Sequence, residues 1–413
     1  MADPNSLPLD RSSVFAAAEL IKNYVHQTPV LTNTYLNNLA STPRTSEDLS
    51  GTPWEGQEAA KPKINLWFKC ENFQKIGAFK ARGAFHALIR LMESEGWEEN
   101  GGREKGVTTH SSGKYSRGRD IDRTKLKEYA GNHAQALAFA AQTMKIPAHI
   151  VMPSISIPSK INGTRGYGAD IVFSGSTAPE REAKVEEVIQ KTGATLIPPY
   201  DHPHIMIGQG TAGLEFMQQV EELQFAEAAK GRCRVKGLDA IIAPCGGGGL
   251  LSGTALAASG TKVRVFGAEP EFEGADDCKR GLASGQRVDK VSTLTVADGL
   301  RTPVGVWPWK IISDKEKVKG VHSVTEDQIV KTLRIVMERM KVVVEPSSVV
   351  PLAVALWNED FRKMVEREQG GEEWDIGVIF SGGNVSLEAL GKLFEPKTEK
   401  AEREKKEVLP KEQ

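Results

Sequence analysis

The chain has 413 residues, a formal net charge of -1 and a pI near 6.7. That balance lacks the electrostatic footprint of a nucleic-acid or anionic-membrane binder, and the length suits a large core, usually split into two domains. Its four cysteines (Cys70, Cys233, Cys245, Cys278) are widely spaced and form no Cys-x-x-Cys pair. This spacing argues against zinc and against a disulfide framework, and for a reducing compartment. No apolar run reaches membrane length and the N-terminus has no signal-like stretch, so a cytoplasmic enzyme is expected.

In chain order, Ser41–Lys63 is rich in Ser, Thr, Pro, Gly and Glu without periodicity and reads as a flexible loop. The run Ile64–Cys70 predicts a strand. Beyond it, Lys80 follows an aromatic residue, Phe79, among small neighbours. The spacing of Ala84, Phe85, Ala87, Leu88 and Leu91 predicts a helix from about Lys80. A lysine there is placed to make a Schiff base, because burial lowers its pKa and frees the amine. The competing reading is a surface lysine in a turn.

Further strands are predicted at Ala148–Met152, Asp170–Phe173, Thr195–Ile197, Ala240–Ala243, Val263–Ala268 and Ile376–Phe380. Helices are predicted at Ala134–Met144, Glu180–Lys191, Gly210–Leu223 and Glu326–Met340, the first opening on an N-capping Asn132. The alternation predicts parallel sheet covered by helices. Gly246, Gly247, Gly248 and Gly249 join a buried strand to a helix. Such a junction turns backbone N–H groups toward a phosphate, or is only a tight turn. It matches neither a Walker loop nor the dinucleotide spacing. Glu269 ahead of Asp276 and Asp277 offers hard oxygen ligands for Mg²⁺ or Ca²⁺, or a solvated acidic loop. The last strand ends in Ser381-Gly382-Gly383-Asn384, at the carboxyl edge where α/β sheets bind ligands. The Lys/Glu-rich tail 395–413 reads as disordered.

The segments Lys69–Asn72, Gly77–Gly83, His110–Gly113, Gly131–Gln135, Gly208–Thr211, Gly246–Gly249, Ala297–Gly299, Glu338–Lys341, Glu345-Pro346 and Ser381–Asn384 occur in one order. Together they resemble the fold-type II pyridoxal-phosphate enzymes, in the serine racemase and serine/threonine dehydratase group, which also holds 3-hydroxyaspartate dehydratases. The resemblance runs from about Thr28 to Leu390. It implies an α/β fold of two open, twisted, mostly parallel domains with the cofactor between them. The large domain would take 1–95 and 201–394, and the small domain 96–200. It also implies a homodimer, a small amino-acid substrate and an ATP effector met by Gln135 and Asn384.

The resemblance also assigns roles. Lys80 holds pyridoxal 5'-phosphate and serves as base at Cα. Phe79 stacks on the ring, Gly246–Gly249 bind the phosphate, Asn132 meets the ring hydroxyl and Ser381 the ring nitrogen. A neutral hydroxyl at the ring nitrogen does not enforce its protonation, which favours loss of a β-substituent over transamination. Ser112 carries the proton on the opposite face, and Ser111 belongs to the substrate loop. Arg181 reaches a substrate carboxylate or, equally, lies on a solvated helix face. Glu269, Ala275 and Asp277 hold Mg²⁺ or Ca²⁺, although the loop before Asp277 is about two residues longer than the pattern.

One departure stands out. In the resembled group His-Ser-Ser-Gly runs directly into Asn-His, whereas here Lys114–Gly131 intervenes. Back-translated, Gly113-Lys114-Tyr115 can carry a GTAAGT donor and Tyr129-Ala130-Gly131 an AG acceptor. The segment is therefore read as a retained intron, with a surface insertion as the alternative. The expected function is a serine/threonine-type dehydratase with serine racemisation as a second activity. Dehydration of 3-hydroxyaspartate, with Pro199–Pro203 as the selecting loop, is the alternative within enzymes. A non-catalytic cofactor-binding protein disabled by the interruption is the alternative of another class.

Overall fold

The protein is described from a computed structural model, which covers residues 8–110, 131–154, 156, 158–175, 177–231 and 235–395. Among these, ten strands form two sheets. They are β1 (Val30–Thr32), β2 (Ile64–Cys70), β3 (Val107–His110), β4 (Ala148–Pro153), β5 (Asp170–Ser174), β6 (Thr195–Leu196), β7 (Ala240–Pro244), β8 (Arg264–Pro270), β9 (Gly320–Val324) and β10 (Trp374–Phe380). The larger sheet has the order β1-β2-β10-β7-β8-β9, and the smaller β5-β4-β3-β6. Only the β1–β2 pairing is antiparallel.

The centre of the larger sheet is apolar on both faces. All seven residues of β10 and all five of β7 are buried, as expected for parallel strands covered by helices on each side. Register then decides what shares an edge. Phe380 pairs with Cys70, and Val378 with Ile242. The segments that follow β2, β10 and β7 therefore emerge together at the carboxyl edge. These are the segments that carry Lys80, Ser381 and the four glycines.

Helix packing fixes two of them further. The helices Lys80–Met92, Pro203–Ala228 and Gly249–Ala258 cross with their backbones almost touching. A Cβ on Gly208 would lie 2.8 Å from Gly83 Cα, and one on Gly210 would lie 2.5 Å from Gly253 O. The Gly208-Gln-Gly-Thr motif is thus what lets the lysine helix and the glycine-loop helix share one neighbour. Below Lys80, Arg82 donates from Nε to Glu71 at 2.8 Å and from Nη1 to Glu215 at 3.1 Å, and Lys69 also bonds Glu215. Arg82, Glu71 and Lys69 are fully or almost fully buried, so losing one partner would strand an unpaired charge at about 3–5 kcal/mol.

The segment 41–63 differs from its expected flexible loop. Thr45 and Asp48 form a capping box on the short helix Ser46–Leu49. Glu359, Glu366 and Gln369 accept hydrogen bonds from the N–H groups of Ala60, Lys61 and Lys63. Its anchors lie some 300 residues away, which local composition does not reveal.

Candidate active site

The lysine loop and the Ser381 loop are zipped together through their backbones. Ala78 and Gly382 form an antiparallel bridge. Phe79 N–H donates to Ser381 O at 3.0 Å, and Gly383 N–H to Gly77 O at 2.9 Å. Ile76 sits at φ +62°, a costly conformation for a β-branched residue. Its carbonyl is held by Asn384 Nδ2 at 2.8 Å. The loop that presents Lys80 is therefore clamped in shape.

Lys80 opens its helix, and its Nζ donates to Pro199 O at 2.7 Å and lies 5.1 Å from the centre of the Phe79 ring. Burial lowers the amine to about 8, and the carboxylate of Glu345 pulls in the opposite direction. Asn132 Nδ2 lies 3.2 Å from both carboxylate oxygens of Glu345, and Asn384 Nδ2 donates to Asn132 Oδ1 at 2.8 Å. His133 is buried with Nε2 3.2 Å from Ile197 O; burial, then the nearby Lys80, drops it to about 3. Ser381 Oγ pairs with Ser348 Oγ at 3.1 Å, and Ser348 also clasps the Gly382 peptide.

The glycine loop lies beside this cluster. Tyr200 directly follows the residue that accepts from Lys80, and its ring covers the loop: a Cβ on Gly247 would meet it at 2.3 Å. Gly248 takes φ +85°, and the Gly249–Ala258 helix starts without a side-chain cap. Uncapped backbone N–H groups at a helix start suit a phosphate. A phosphate cradle without side chains, a buried lysine lowered to about 8, and the neutral donors Ser381 and Asn132 fit pyridoxal 5'-phosphate.

Around β8, Glu269 is fully buried and accepts from Cys278 N–H and Lys279 N–H, both at 3.0 Å. Burial raises it well above the ordinary carboxylate range, and Cys278 and Asp277 add to the rise. Asp277 is also buried, accepts from Val304 N–H at 3.1 Å and is pushed up to about 7, chiefly by burial. The longer loop before it is taken up by a 3₁₀ turn at Phe272–Gly274 with Glu273 at φ +50° and Gly274 at φ +77°; the next residue, Ala275, is buried. One finding departs from the sequence reading of the cysteines. Cys245 Sγ, Cys278 Sγ and a Glu269 carboxylate oxygen lie within 4.8 Å of one another.

Other expectations fare differently. Arg181 is 2% exposed, so it is not on a solvated helix face. Asp201 accepts from the N–H groups of Val306 and Trp307, and His202 from His204 N–H, so both have structural work within the 199–203 loop. Ser111, Ser112 and residues 114–130 of the interruption lie outside the described residues; β3 ends at His110 and the next described helix begins at Asn132. Glu345 and Ser348 were given no role from sequence, and Tyr200 only a share in the 199–203 loop. The Glu345-Pro346 pair did carry a signal, since proline at the first helical position marks a helix start.

A fold of two mostly parallel α/β sheets, with a lysine and a glycine cradle at the carboxyl edge of the larger, defines a fold-type II pyridoxal-phosphate enzyme. The comparisons agree: residues 124–382 match the pyridoxal-phosphate dependent enzyme family, and the chain belongs to it. It is 38% identical to the serine racemase of Dictyostelium discoideum, over 92% of this chain and 95% of that protein. It is 34% identical to the L-threo-3-hydroxyaspartate ammonia-lyase of Saccharomyces cerevisiae, over 93% of this chain and 96% of that one. The structure of maize serine racemase superposes with a TM-score of 0.73 at 34% identity, over 96% of this chain and 99% of the other. Among the described residues no helix is long and apolar enough to cross a membrane.

Proposed function

We propose that this enzyme removes water from hydroxy-amino acids of the serine/threonine type, releasing a 2-oxo acid and ammonia, and that it also racemises serine. The observation that carries the reading is Lys80: a buried amine lowered to about 8, beside a glycine cradle and the neutral hydroxyl of Ser381. The similarity to a serine racemase and to a hydroxyaspartate ammonia-lyase supports it. When bound, the cofactor supplies an electron sink for the substrate's Cα. Lys80 anchors the cofactor and then takes the Cα proton, a task for which an amine of pKa near 8 is well matched. Phe79 limits ring motion, the N–H groups of Gly246–Gly249 bind phosphate, and Asn132 presents an amide held by Glu345 and Asn384. Ser112 would hold the proton on the far face, and Arg181 would receive the substrate carboxylate.

The test is a substrate panel of L-serine, D-serine, L-threonine and the hydroxyaspartates, assayed for 2-oxo acid, ammonia and chirality. It is run on the full chain and on a protein lacking Lys114–Gly131. If that segment is a retained intron, the shortened protein should be faster by about a hundredfold, since displacements near 1 Å cost on that order. Equal rates would mean that the segment is accommodated. Failure of both proteins, loaded with cofactor, to turn over any of these amino acids would overturn the assignment.

A further inference from the structure

We propose that Cys245, Cys278 and Glu269 form a binding site for a thiophilic divalent cation such as Zn²⁺ or Cd²⁺, which shares Glu269 with a hard-cation site at Glu269, Ala275 and Asp277. The backbone builds it. Cys245 follows β7 and donates its N–H to Ala268 O at 2.8 Å, which sets it beside Glu269 at the end of β8. Cys278 is the second residue of the Asp277–Ser284 helix, whose N–H groups already hold Glu269. All three side chains are buried, and both cysteines are free thiols. Their ligand atoms lie within 4.8 Å of one another.

A tetrahedral ion with metal–sulfur bonds of about 2.3 Å and metal–oxygen bonds of about 2.0–2.2 Å needs its ligand atoms roughly 3.5–4 Å apart. The site therefore needs only a small contraction. Two sulfurs and one oxygen select a soft or borderline ion over Mg²⁺ or Ca²⁺. Binding exchanges the two thiol protons for the metal, and both protons leave to solvent. The helix N–H groups on Glu269 offset the negative charge that two thiolates and a carboxylate leave around a divalent ion.

Two consequences follow from where the ligands sit. Glu269 cannot serve a soft and a hard ion together, so the two should compete. Cys245 is bonded directly to Gly246, so contraction around a soft ion pulls on the first residue of the phosphate cradle. Thiophilic metal should therefore loosen cofactor binding.

The experiment is a Cd²⁺ titration of the holoenzyme in a non-thiol reductant, following the thiolate-to-metal absorption in the near ultraviolet. The expected result is saturation at one ion per chain. A Cys70→Ala/Cys233→Ala protein, which keeps only Cys245 and Cys278, should behave the same. Cys245→Ala and Cys278→Ala should each weaken binding at least tenfold; Cys245→Ser and Cys278→Ser replace them if the alanine variants do not fold. Loss of the signal from the Cys70→Ala/Cys233→Ala protein would overturn the proposal. So would an unchanged titration in the single variants of Cys245 and Cys278.

Discussion

Lys80 and the Glu269–Asp277 pair lie at the carboxyl edge of the same sheet, beyond β2 and around the end of β8. Burial acts on both in the same sense, toward the uncharged form. At Lys80 the outcome is an amine lowered to about 8, with one buried carboxylate, Glu345, opposing the shift. At β8 it is two carboxylates raised chiefly by burial, with Cys278 and Asp277 adding to the rise at Glu269 and Asp276 adding to it at Asp277. One end of the edge has gained a nucleophile that works near neutral pH. The other has gained two buried carboxylates whose charged forms a cation would stabilise. The same low-polarity edge thus prepares for a covalent partner in one place and for a cation in the other, and which it does depends on the sign of the residue placed there.

The largest effect should come from removing the lysine. Lys80→Ala should lose the visible absorption of the bound cofactor and lower turnover on the order of a thousandfold or more, since it removes both anchor and base. Retained absorption with retained turnover would mean that another amine fills the role and would break the comparison at its first term. The pH dependence of loading sharpens the same term. With its pKa near 8, the fraction of neutral Lys80 amine falls about tenfold per pH unit below that value. Cofactor capture by the cofactor-free protein should therefore slow about fiftyfold between pH 8, where half the amine is neutral, and pH 6, read from the growth of visible absorbance. A flat profile over that range would place the amine's pKa elsewhere.

At the acidic end, Mg²⁺ or Ca²⁺ should stabilise the chelator-treated protein. At a hundredfold excess over Kd the gain would be about 2.7 kcal/mol, seen as a raised Tm. Glu269→Gln should abolish that gain by removing a charged ligand, while leaving the lysine's absorbance in place. If metal raises Tm equally in wild type and Glu269→Gln, the carboxylates are merely buried and the contrast loses its second term.

How much of this edge could be read from sequence depended on whether a feature was continuous along the chain. β7 and β10 are apolar runs that end directly in the glycine and Ser381 loops, and β2 leads to Lys80 within ten residues, so strand and loop were legible together. β1, β3 and β9 were not predicted. They span three to five residues, include Thr32, His110 and His322, and gain their form from pairing with longer neighbours. Glu345 and Ser348 escaped a role because each acts across a gap: Glu345 on Asn132, 213 residues away, and Ser348 on Ser381, 33 away. The Cys245–Cys278 pair was hidden for the same reason. Its spacing fits no metal motif, because β7 and β8, rather than a local loop, bring the thiols together.

The smallest expected effect tests whether burial really works in one sense at both ends, because the two ends link to pH with opposite sign. His133 falls from an ordinary 6.5 to about 3 in the fold. Its neutral form is what the fold accepts, so its contribution is present above pH 6.5 and is lost as pH falls through the window toward 3. Lowering the pH from neutral to 5.5 should cost about 1.4 kcal/mol from this residue. Asp277 rises from 3.8 to about 7. Its protonated form is favoured in the fold, so its contribution is complete below 3.8 and is lost as pH rises through about 7. In metal-free protein, acidification between pH 7 and 5.5 should therefore erode stability through His133 and restore it through Asp277. The slope of Tm against pH separates them, whatever each substitution does to the absolute value. His133→Asn should make acidification less harmful, and Asp277→Asn should make it more harmful. Slopes that move in the same direction in both variants would show that one of the two groups is not held neutral. The two ends of the edge would then no longer be governed by a single cause.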